Sequence, residues 1–111
     1  MNQDTAIEAF SALAQTSRLA IYRMLVNVGP DGLTATAISK RIGVVPSTLS
    51  GHLAVLKRAG LLTATRHSRE IHYAANLGVM NSLLSFMLAD CCGGQVENCS
   101  EILTLLSPSA A

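Results

Sequence analysis

The stretch Leu33–Leu62 reads LTATAISKRIGVVPSTLSGHLAVLKRAGLL, and the fold turns on how it is parsed. Ala35, Ile38 and Ile42 recur at helical spacing, which predicts a short helix from about Thr34 to Ile42. Gly43 follows as a stop signal. Pro46 suits the first turn of a second helix, where a missing N–H costs nothing. In that helix Leu49, Leu53 and Leu56 form one apolar stripe. The side opposite is read as Ser47, Thr48, Ser50, Gly51, His52, Lys57 and Arg58, and Gly60 closes the helix. Short polar side chains near the start of a helix allow close approach to base edges, and cations near its end suit phosphates. This is the helix-turn-helix pattern, with a solvated helical hairpin as the plain alternative.

The next residues, TATRHSREIHYAAN, fit two short strands through Thr63, Thr65 and Ile71, Tyr73, with His67-Ser68-Arg69 as the loop between them. A basic hairpin directly after a helix-turn-helix is a wing, and Arg66, His67 and Arg69 are its candidate DNA contacts. The bland reading is a small edge sheet whose charged tip discourages aggregation.

Whole-chain properties set the bounds. The chain of 111 residues suits one domain, with 1–92 as its body and 93–111 as a tail. Half of the residues are hydrophobic and only 14% are charged, a surplus of apolar surface that a small monomer struggles to bury and a homodimer absorbs. The net charge is only +1, but its distribution is uneven. Lys40, Arg41, Lys57, Arg58, Arg66 and Arg69 fall in the centre, whereas Asp4, Glu8, Asp90, Glu97 and Glu101 lie in the flanks. A basic middle is what a local phosphate-facing surface needs. No apolar run approaches the roughly 20 residues of a membrane span, and no leader pattern opens the chain. A cytoplasmic protein with no membrane partner is therefore expected.

Residues 4 to 28 read as two helices. Ile7, Phe10 and Leu13, with Ala6, Ala9 and Ala14, make the first one apolar enough for a dimer contact. Thr16 or Ser17 is the expected cap of the second, and Gly29-Pro30-Asp31-Gly32 ends it. After the wing, Asn76 is the expected cap of a last helix over 77–92, apolar nearly all round and suited to burial against a partner subunit. The expected fold is thus mostly α with a small β-hairpin: a homodimeric winged helix-turn-helix.

Three segments carry a family resemblance: ALAQTSRLAIYRML, AISKRIGVVPSTLSGHLAVLKRAGLL and REIHYAAN. Together they resemble the ArsR/SmtB family of winged-helix repressors over about residues 6 to 92. The resemblance implies a homodimer that binds double-stranded operator DNA and releases it when a metal or metalloid binds, with no enzymatic activity. Two sensor sites of that family are missing. The positions matching its Cys-x-Cys pair are Thr34 and Thr36, and 77–92 contains no His for a zinc set. Gly51 also stands where a larger polar residue is common, leaving Ser47, Thr48 and Ser50 to carry more of the readout.

The remaining candidate sensor is Cys91-Cys92-Gly93-Gly94-Gln95-Val96-Glu97-Asn98-Cys99, which holds all three cysteines of the chain. The glycines permit a backbone reversal that returns Cys99 to the vicinal pair. The arrangement resembles the C-terminal arsenic site of arsenical-resistance repressors. Thiols suit soft centres, whereas structural zinc takes four ligands. Arsenous acid exchanges its three hydroxyls for three thiols, giving a neutral pyramidal complex and three waters. As(III) is therefore the expected inducer, with Sb(III) as a competitor of the same valence. A redox-sensing repressor using these cysteines is the alternative. A thiol reductase fits less well, because Cys-x-x-Cys is absent and no cation lies near the thiols in sequence.

Overall fold

The computed structural model describes residues 1–89. The cysteine cluster and the tail 93–111 lie outside the described residues. Five helices and three short strands run in the order α1 (Gln3–Leu13), α2 (Thr16–Val28), β1 (Leu33–Thr34), α3 (Ala35–Ile42), α4 (Pro46–Arg58), β2 (Leu62–His67), β3 (Glu70–Ala75) and α5 (Leu77–Leu88). The sheet is antiparallel with β3 in the middle, in the order β1-β3-β2.

Local chemistry sets most of the boundaries. Asn2 and Thr5 form a reciprocal cap on α1. The cap of α2 is Gln15, whose side chain accepts the Arg18 N–H at 2.8 Å; this corrects the expectation of Thr16 or Ser17, both of which lie inside the helix. The longer amide side chain reaches a donor that the next two residues, already helical, cannot reach as an N-cap. Thr34 caps α3 through the Ala37 N–H, and Gly43 ends that helix in the left-handed region at φ 79°. Pro46 opens α4 at its first position, behind Val45, which offers no side-chain cap.

One fully buried set, Ile21, Leu25, Ile38, Leu49, Leu56, Leu61 and Leu83, joins α2, α3, α4, the start of the wing and α5. Helix α1 is inverted in size. Its buried stripe is Ala6, Ala9 and Ala12, while Ile7 and Phe10 stand 55% and 43% exposed. Helix α1 thus turns its small side chains inward and its large ones outward. On α5, which packs on α1, only Leu83 is buried, and Leu77, Leu84, Phe86 and Met87 are exposed.

The structure departs from the sequence reading at two boundaries. Strand β1 had no place in that reading: two residues are too few to show alternation, and their pairing with His72 and Tyr73 is long-range. Helix α5 ends at Leu88 rather than Cys92, because Ala89 takes ψ 134°, far from the helical value. The Gly93-Gly94 pair suggested a later stop. Both glycines lie outside the described residues.

Candidate nucleic-acid interface

Helices α3 and α4 pack against each other through Ile38, Leu49 and Leu53, so the opposite surface of α4 is presented to solvent. Ser47, Thr48, Ser50, Gly51 and Lys57 are all exposed there. Between α3, α4 and β3 lies a hollow of about 470 Å³ with Leu49, Leu53, Ala54 and Tyr73 on its walls, and Ser50, Lys40 and Lys57 also line it. No carboxylate is among the residues lining that hollow.

The wing extends the surface. In β2 and β3, Arg66 pairs with Ile71 and His67 with Glu70, which leaves Ser68-Arg69 as a two-residue turn, tighter than the three-residue loop expected. Ser68 takes φ 59°, the one positive-φ residue other than glycine among the described residues. The Arg66 Nε–H donates to the Ser68 carbonyl at 3.1 Å, which ties that side chain to the turn. Arg66, His67 and Arg69 are exposed. The His67 and His72 rings lie 4.4 Å apart, and His72 Nδ1 is 3.2 Å from the Asp31 carbonyl oxygen.

His52 is placed differently from its neighbours. It is half-buried on the flank of α4, and its Nδ1 lies 3.4 Å from an Arg18 guanidinium nitrogen. The sequence contained the signal: His52 is three residues after Leu49 and four before Leu56, which puts it beside the buried stripe rather than opposite it. Arg18 and Gln15 lie in the segment ALAQTSRLAIYRML that carries the family resemblance, but the sequence reading gives neither a functional role.

Comparison with known proteins agrees with this geometry. A family model described as a helix-turn-helix domain matches residues 13–64. The chain is 28% identical over 93 residues to YbzH of Bacillus subtilis (strain 168), described as an uncharacterized HTH-type transcriptional regulator; the match covers 73% of this chain and 93% of that protein. A homodimeric winged helix-turn-helix DNA-binding domain from Mycobacterium bovis, described as a possible ArsR-family transcriptional regulator, superposes with TM-score 0.64 at 28% identity, covering 78% of this chain and 80% of the other.

The chain has a helix-turn-helix domain, and its fold is the winged helix-turn-helix seen in ArsR-family regulators. The same fold is seen in an ArsR-like transcriptional regulator from Rhodococcus sp. RHA1, with TM-score 0.69 over 94% of this chain and 93% of that one, at 21% identity. Among the described residues, no group of three His, Cys, Asp or Glu side chains is placed to hold a metal, and no helix is long and apolar enough to cross a membrane.

Proposed function

We propose that this protein is a dimeric transcriptional repressor of the ArsR type that leaves its operator when As(III), or Sb(III), binds Cys91, Cys92 and Cys99. The reading of DNA rests on one observation: a scaffold of helix, turn, helix and wing exposes Ser47, Thr48, Ser50, Gly51 and Lys57 on one side, with Arg66, His67 and Arg69 on the wing. Small hydroxyls on α4 read base edges in the major groove, and the cations of α4 and the wing sit on phosphate. Dimerisation is supported by Ile7 and Phe10 on α1 and Leu84 and Met87 on α5, all exposed on helices that pack together. A two-fold dimer sets two α4 helices in successive major grooves about 34 Å apart.

The sensing step is supported by chemistry. Each of three As–O bonds is replaced by an As–S bond, and each thiol proton leaves with a hydroxyl as water. Cys91 and Cys92 follow shortly after the end of α5, so gathering three sulfurs there acts on a helix that contributes to the dimer surface. A coupling of about 1–3 kcal/mol would weaken operator binding roughly 5- to 150-fold.

The test is operator binding by reduced protein, titrated with arsenite and separately with zinc, beside Cys99→Ser. Release by arsenite in the wild type alone supports the reading. Release by zinc, or equal release in the variant, rejects the cysteine sensor. Reversible release by peroxide without metalloid would favour the redox alternative.

A further inference from the structure

We infer that Arg18 and His52 do not read DNA but position the recognition helix, tying it to the end of the helix that carries Ile7 and Phe10. This rests on the DNA-binding reading above and adds a role for two residues in it. One guanidinium touches two other helices. The Arg18 Nε–H donates to the Ala12 carbonyl at 2.7 Å, and another of its nitrogens lies 3.4 Å from His52 Nδ1 on α4. Arg18 is itself fixed in place, because its backbone N–H is the one capped by Gln15.

The chemistry assigns directions to these contacts. Arginine has only donors, so this contact is a hydrogen bond in the tautomer whose Nδ1 accepts and whose ring proton sits on Nε2. Ala12 lies in the last turn of α1, where carbonyls lack partners within the helix, and a cation there is doubly favoured, by charge-assisted hydrogen bonding and by the helix dipole. Arg18 and His52 are both half-buried, so water competes less well for these contacts than at the exposed tip of the wing. A displacement of α1 at a subunit contact therefore acts on α4 through this side chain as well as through the direct packing of α1 on α4.

The proposal separates cleanly from base reading by His52. Operator affinity is measured by fluorescence anisotropy on the full-length protein, using the operator and a set of base-substituted operators. The proteins are wild type, Arg18→Gln, His52→Phe, the double variant and His52→Asn, whose side-chain oxygen replaces Nδ1 as acceptor. Circular dichroism and sedimentation verify fold and dimer for each. Arg18→Gln and His52→Phe should each weaken binding about tenfold, the scale of a hydrogen bond to a charged group. The loss should be equal across all operators, the double variant should be no worse than either single one, and His52→Asn should recover most of the affinity. A changed rank order of operators in His52→Phe, losses that multiply, or no recovery in His52→Asn would overturn the proposal. Should Arg18→Gln fail to fold, the two His52 variants decide it. A wild type that ignores every duplex refutes the DNA reading itself, a result distinct from wild-type binding with multiplying losses.

Discussion

At Gly51 the exposed side of α4 has no Cβ, and one built there meets no atom within 4 Å. Gly51→Ala should therefore stabilise the helix by about 0.5–1 kcal/mol, seen as a raised unfolding midpoint. If α4 enters the major groove at this point, the added methyl should lower operator affinity while stability rises. A parallel rise in both would place Gly51 away from the bases. Tyr22 gives a second prediction. Its ring is buried, its hydroxyl has no partner among the described residues, and desolvation raises its pKa above the ordinary value of 10.0. The unfolded chain then loses this proton first, so this contribution to stability is complete below about pH 10 and is lost as pH climbs through the folded value. Tyr22→Phe should flatten that alkaline loss in urea titrations. It should also gain about 1 kcal/mol at neutral pH, by removing an unsatisfied polar atom.

Among the elements, the short strand β1 does more than its length suggests. Thr34 ends the strand and caps α3, so the sheet that carries the wing is covalently and geometrically continuous with the helix-turn-helix. The approach depends on Gly32, at φ 69°, where a Cβ would collide with the Tyr73 carbonyl oxygen. Gly32→Ala should cost at least about 2 kcal/mol in thermal or urea unfolding, since strain and collision add. The residues behind such features differ in how visible they are in a sequence. The stripe Leu49, Leu53, Leu56 and the stops at Gly43 and Gly60 follow from local periodicity and turn chemistry, and the structure has them as read. Strand β1, the Gln15 cap and the Arg18–His52 contact depend on partners distant in sequence or on an unusual cap, and no local pattern encodes them. The exposure of Ser47, Thr48 and Ser50 was legible because none of them falls on the stripe Leu49, Leu53 and Leu56. His52 was misplaced because a polar residue bordering an apolar stripe resembles one opposite it.

For the whole molecule, the exposed large side chains of α1 and α5 are the features that a lone subunit explains least well. Phe10→Glu or Met87→Glu, which set a charge into the proposed contact, should give monomers by sedimentation equilibrium. Operator affinity should fall roughly a hundredfold or more, because two linked half-site contacts become one. A dimer that survives both substitutions would move the subunit contact elsewhere. The size inversion of α1 carries a consequence for abundance. A helix whose inward face is alanine gives its own subunit little buried hydrocarbon, so in the proposed dimer the pairing of subunits would supply much of the protection against unfolding, and that protection would depend on concentration. Unpaired chains would be the ones that proteases remove. The standing amount of regulator in a cell would then rise more steeply than its rate of synthesis, and a modest cut in synthesis would empty operators faster than dilution by growth alone.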